Sequence, residues 1–90
     1  MDFAWDTDKA ATNLAKHGVS FEEASTVFRD PLYIDFHDPD HSDDEQRFLI
    51  VGLSSKNRIL IVSYTERNET IRLISAREVT AAERKAYEED

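Results

Sequence analysis

The 90-residue chain has no cysteine, so a disulfide framework and a thiolate metal site are both excluded, and nothing calls for an oxidising compartment. Glycine and proline are scarce, two of each, and neither a linker nor an internal repeat is visible. Long apolar runs are missing too. One of the longest, Ile59 to Val62, is far short of the roughly 20 residues of a membrane span. The start, Met1-Asp2-Phe3-Ala4-Trp5-Asp6, lacks the basic flank and apolar run of a signal peptide. These absences lead us to expect a soluble cytoplasmic protein.

Positive charge is also short. Eleven Lys and Arg face nineteen Asp and Glu, a net charge of −8, which argues against a broad nucleic-acid surface. The distribution matters more than the total. Residues 1–45 hold three cations against twelve carboxylates, residues 46–79 hold six against three, and the last eleven residues hold two against four. The middle segment is therefore basic by three charges, enough for a small patch on an acidic protein.

What is present fits one domain: 40% hydrophobic residues and nine aromatics close a single core. A chain this short buries only roughly 60 to 65% of its unfolded surface, so a partner chain would add stability that the core lacks. Asp6 followed by an Ala-rich stretch to His17 and then Gly18 reads as a cap, a helix and a glycine stop. Ser20-Phe21-Glu22-Glu23 matches a capping box, with Glu23 reaching back, and opens a second helix that ends near Arg29. Short strands follow at Leu32–Phe36, Arg47–Ser54, Arg58–Glu66 and Thr70–Arg77, the last three joined by connections that fit only antiparallel hairpins. The apolar run Leu60-Ile61-Val62 suggests a middle strand covered on both faces. Thr80-Ala81-Ala82-Glu83 is a second capping box and opens a terminal helix through Tyr87 that fades into the acidic tail Glu88-Glu89-Asp90. The expected fold is α+β: two N-terminal helices, a four-stranded antiparallel sheet and a short C-terminal helix.

Two multi-residue patterns carry a family resemblance. The string Phe3-x-Trp5-Asp6-x-x-Lys9-x-x-x-Asn13-x-x-Lys16-His17-Gly18-Val19-Ser20-Phe21-Glu22-Glu23-Ala24-x-x-Val27-Phe28-x-Asp30 resembles the opening of the BrnT toxin family. Arg47, Gly52, Arg58, Tyr64-Thr65-Glu66-Arg67 and Arg72-x-Ile74-Ser75-Ala76-Arg77 resemble its second half. The resemblance covers nearly the whole chain. It implies a RelE-like fold and metal-independent RNA cleavage with no cofactor. It also implies neutralisation by a small ribbon-helix-helix antitoxin, commonly in a 2:2 complex that meets DNA only through the antitoxin.

RNA cleavage without metal needs a base for the 2′-hydroxyl, a cation for the phosphorane charge and an acid for the leaving oxygen. Arg67, Arg72 and Arg77 are the candidate clamp, because a planar guanidinium suits two phosphate oxygens. Strict alternation puts Arg67 and Thr65 on one face and Glu66 and Tyr64 on the other; it separates Arg72 from Arg77 unless a bulge intervenes. The plain alternative for each arginine is a solvated position or an ion pair with Glu66, Glu69 or Glu78. His17, at the end of the first helix, is a candidate acid or base, and Glu66 is its rival. Lys16, Arg58 and Tyr64 are candidate RNA contacts.

His37, Asp38, Asp40, His41 and Asp43 are potential ligands, but their loop spacing gives no shared geometry, so we read a solvated acidic loop and no metal site. Such a loop would also mimic phosphate or meet a basic antitoxin arm. Phe3 and Trp5 read as core residues that anchor the N-terminus to the sheet. The acidity motivates a second function: a non-catalytic interaction protein that binds an antitoxin or repressor partner with little or no nuclease activity.

Overall fold

The computed structural model describes residues 1–41 and 45–89. In chain order the elements are β1 (Asp2–Ala4), α1 (Thr7–His17), α2 (Phe21–Thr26) continued by a 3-10 turn (Val27–Arg29), β2 (Ile34–His37) and a 3-10 turn (Pro39–His41). Then come β3 (Phe48–Leu53), β4 (Ile59–Arg67), β5 (Thr70–Glu78) and α3 (Ala81–Glu89). The α+β class holds, but the sheet has five strands in the order β1-β5-β4-β3-β2, and it is mixed rather than antiparallel. The extra strand is β1, which runs parallel to β5 with Phe3 opposite Ile71. Three residues are too few to show alternation, and their partner lies at the other end of the chain. Only the closed fold reveals the pairing.

The helix ends follow the sequence signals. The Asp6 carboxylate accepts the N–H groups of Asp8 and Lys9 at 2.8 and 3.1 Å, and Gly18 closes α1 with φ of 69°. Ser20 Oγ accepts the Glu23 N–H at 3.0 Å, which is half of the expected box. The other half is absent, because the Glu23 side chain turns instead to Ser54 and Arg58. At α3 the box is complete: Thr80 Oγ1 accepts the Glu83 N–H at 3.2 Å, and Glu83 Oε1 accepts the Thr80 N–H at 2.8 Å. Strand β2 starts two residues later than expected. The Asp30 carboxylate accepts the Leu32 N–H at 2.9 Å in a local turn, which holds Leu32 out of the sheet, 75% exposed.

Helices α1 and α2 cover one face of the sheet. Val19, Phe21, Ala24 and Val27 pack there on Ile50, Leu60, Val62, Leu73 and Ala76. Phe3 and Trp5 join through edge-to-face contacts with Phe28 and Phe21, at 5.2 and 5.9 Å between ring centroids. Gly52 lies on this face beneath the 3-10 turn. A Cβ there would meet Val27 at 3.0 Å and Asp30 Oδ2 at 3.1 Å, so the close approach explains the glycine.

Strand β1 pairs only with Thr70 to Arg72. Further along β5 the ladder is completed by a side chain. Asn13 of α1 accepts the Ala76 N–H at 3.0 Å and donates to the carbonyls of Ala76 and Val19, both at 2.9 Å. The buried amide thus replaces a neighbouring strand and fixes α1, and His17 one turn later, against the β5 edge.

Candidate functional site

The opposite face of the sheet is where the basic residues gather. The β4–β5 ladder has one register shift: Ser63 pairs with Ser75 but Tyr64 pairs with Leu73, so Ile74 is the extra residue of a bulge in β5. Without it Arg72 and Arg77 would lie on opposite faces. With it, Arg77 is opposite Ile61 and Arg72 opposite Thr65, and both share a face with Arg67. The bulge therefore brings all three expected clamp residues to the side away from α1 and α2.

A cavity of about 440 Å³ opens on that face. Leu49, Ile61, Ser63 and Ser75 form its floor, and Arg47, Arg77 and His17 stand around it. His17 arrives there because Asn13 pins α1 to β5. Lys16 and His17 border an adjoining cavity of about 380 Å³ over Ile74 and Ser75, so both sit along one rim. Asp38 and His41 close the first cavity on the β2 side.

The arginines are not bare. Arg77 donates to both carboxylate oxygens of Glu83, at 2.8 and 3.0 Å, and to the Glu78 carbonyl at 3.1 Å. Arg67 forks onto both oxygens of Glu45. The expected ion-pair partners were Glu66, Glu69 and Glu78; the actual ones come from α3 and from the segment before β3. Both pairs are solvent-accessible, a class of contact that contributes little to stability and yields to a competing anion. Each is also bidentate, the geometry in which a guanidinium takes two phosphate oxygens. The positive field of Arg72 reaches Asp6 on one side and Glu45 on the other.

Three expected site residues lie elsewhere. Arg58 is on the helix-covered face, where it donates through Nε to Glu23 Oε2 at 3.0 Å and through Nη2 to the Gly18 carbonyl at 3.1 Å. Glu23 is buried, and Ser54 Oγ donates to it at 2.7 Å. Burial alone would raise that carboxyl, yet the hydrogen bonds from Arg58 and Ser54 outweigh it and hold the group below its ordinary value. Arg58 thus clamps α2 to the start of β4, on the face away from Arg67, Arg72 and Arg77. Tyr64 is buried on the same face between Phe28 and Phe48, its hydroxyl 3.2 Å from Asp35. Burial, reinforced by the Asp35 charge, pushes that hydroxyl well above the usual tyrosine range. Glu66 alternates with Arg67 and so points away from the arginine face.

Sequence reasoning weighed His41 only as a metal ligand and met Arg47 only within the family resemblance, and it placed neither at this site. Residues 37–41, part of the stretch read as a solvated acidic loop, are tied to the sheet: the Asp38 N–H donates to the Arg47 carbonyl at 2.8 Å, and the turn Pro39–His41 brings His41 to the cavity beside Arg47. Asp43 and Asp44 lie outside the described residues. Among the described residues no group of His, Asp and Glu is arranged to hold a metal ion. No described helix is long and apolar enough to cross a membrane.

The α3 contact carries a pH signature. Hydrogen bonds from Arg77, and next from the Thr80 N–H, lower the Glu83 carboxyl to about 2 from its ordinary 4.5. A depressed carboxyl stabilises the fold above pH 4.5 and loses that contribution as pH falls toward 2. Thermal melts are expected to show a steeper drop across this window for the native chain than for Glu83→Gln. Parallel curves would rule the linkage out.

A family model described as ribonuclease toxin, BrnT, of type II toxin-antitoxin system matches residues 5–83. The chain belongs to the BrnT family. It is therefore placed among the ribonuclease toxins of type II toxin–antitoxin systems, and an antitoxin is its implied partner. The 1.1 Å crystal structure of the Brucella abortus ribonuclease toxin, BrnT, shares the fold of this BrnT chain, with a TM-score of 0.65 and 24% identity over 89% of this chain and 97% of the other. No curated protein matches the sequence.

Proposed function

We propose that this BrnT-family toxin cuts RNA without a metal, by attack of a 2′-hydroxyl on the adjacent phosphorus. The β5 bulge carries the reading, because it is what puts Arg67, Arg72 and Arg77 on one face. Arg77, beside the cavity, is the residue we assign to the developing phosphorane charge; Arg67 and Arg72 hold the neighbouring phosphates. His17 serves in proton transfer, since it shares the cavity with Arg77 and Glu66 does not. Lys16 on the same rim takes the RNA backbone. Glu83 and Glu45 occupy the guanidinium groups at rest, and RNA displaces them.

The test is product chemistry. In the presence of EDTA the purified chain is expected to cut single-stranded RNA and leave 2′,3′-cyclic phosphate and 5′-hydroxyl ends. Loss of cutting with EDTA, or 3′-hydroxyl and 5′-phosphate ends, would sink the proposal.

One observation favours a second reading. Because Arg67 and Arg77 are each satisfied by a carboxylate, the face can also serve a non-catalytic module that only binds its antitoxin. Expression of the chain alone would then leave growth unaffected, whereas a nuclease arrests it. In either case we infer a ribbon-helix-helix antitoxin, in a 2:2 complex that reaches DNA only through that partner. The surplus of nine carboxylates in residues 1–45 supports a partner with a basic arm.

A further inference from the structure

Metal-free cleavage at a 2′-hydroxyl moves two protons, one off the nucleophile and one onto the leaving 5′-oxygen, and His17 can handle only one of them at a time. The cavity holds a second imidazole. His41 lines it together with His17, Arg47 and Arg77. Its ring has a partner that sets its orientation, because Nδ1 lies 2.9 Å from Asp38 Oδ2. Asp38 is in turn fixed by its backbone bond to Arg47, immediately before β3. An imidazole whose Nδ1 is held by a carboxylate presents Nε2 in a set direction, and the carboxylate balances the charge that arrives when Nε2 takes a proton.

We propose that His41, oriented by Asp38, is the general base of this toxin, with His17 as the general acid. The assignment rests on the ribonuclease reading above and adds the second proton carrier that it lacks. Nε2 of His41 removes the 2′-hydroxyl proton as the 2′-oxygen bonds to phosphorus. The bond from phosphorus to the 5′-oxygen breaks, and that oxygen takes its proton from the protonated ring of His17. The products are a 2′,3′-cyclic phosphate and a 5′-hydroxyl, with His41 one proton richer and His17 one proton poorer until water exchange restores both. Arg77 faces the phosphate between them. Among the described residues, the charged groups around the two rings are Asp38, Arg47 and Arg77, the last with its partner Glu83, and, in the adjoining cavity beside His17, Asp8, Lys9 and Lys16.

The ring of His41 is 66% exposed, so its removal leaves the core intact. Single-turnover cleavage of a short RNA, measured from pH 5 to 9, is expected to give a bell-shaped profile. His41→Ala should lower the rate by about 100-fold or more and abolish the rise on the acidic side, and added imidazole should restore part of the rate. His17→Ala should abolish the fall on the alkaline side. Asp38→Asn should lower the rate and keep the bell. A His41→Ala protein that retains the native rate and both limbs overturns the assignment while leaving the ribonuclease reading in place. A second readout needs no cleavage: titration with inorganic phosphate should shift the Cε1–H proton resonances of His17 and His41 together. If RNA is never cut but both resonances move, the nuclease reading falls and the shared anion site stands. Movement of His17 alone overturns the pairing.

Discussion

Arg77→Ala is expected to slow RNA cleavage by about 100- to 1,000-fold, the usual cost of deleting one group that meets charge developing in a transition state. The reason is position. Arg77 projects from β5 into the cavity that holds His17 and His41, whereas Arg67 and Arg72 lie further along the sheet toward the β4–β5 hairpin. The same substitution removes a solvent-accessible tie to Glu83, worth at most about 1 kcal/mol, so the melting temperature should fall by no more than roughly 4 to 8 °C. Arg77→Lys keeps the charge but not the fork, and should recover only part of the rate. Single-turnover kinetics beside a thermal melt separate the two effects. Equal rates for Arg77→Ala and the native chain would remove the arginine from the mechanism; a lost rate with a lost fold would assign it to structure.

The largest effect on stability should come from Asn13→Ala. The Asn13 side chain accepts from the Ala76 N–H and donates to the carbonyls of Ala76 and Val19, all inside the protein. Alanine leaves these backbone groups buried without that partner. At roughly 1 to 3 kcal/mol for each unsatisfied group, partly relieved by relaxation, the loss is about 3 kcal/mol. For a domain of this size that is a fall in melting temperature of roughly 12 to 24 °C. Asn13→Asp makes a sharper control: it keeps the acceptor for the Ala76 N–H but sets a second oxygen against two carbonyls, and should be no more stable than alanine. Leu14→Ala, one residue on and 52% exposed, should be nearly neutral. A melt for Asn13→Ala within a few degrees of native would show that the amide is not what closes the β5 edge. The catalytic consequence follows from geometry, since α1 carries His17 to the cavity; a destabilised Asn13 variant that still folds should also cut more slowly.

Local signals made most of the elements legible. Caps at Asp6, Ser20 and Thr80, the glycine stop at Gly18 and the two short hairpin connections depend on atoms a few residues apart, so the residue types alone specify them. Where a local pattern met a long-range competitor, the sequence reading failed. Glu23 fits a capping box by spacing, but a half-buried guanidinium and a serine hydroxyl offer its carboxylate more than one backbone N–H can. Arg58 and Tyr64 looked like RNA contacts from type and neighbourhood, yet strand parity turns both toward the helices.

By itself the sequence determined the α+β class, the helix ends, the three-strand meander and the residue types that RNA chemistry requires, because each depends on contacts between near neighbours along the chain. Tertiary structure decided the rest. One extra residue in β5 set which face Arg72 and Arg77 share, an asparagine bound to Ala76 across the fold set where His17 stands, and a turn anchored on Arg47 brought His41 into the cavity. Strand parity, edge closure and loop docking are properties of paired segments, and no single segment contains them.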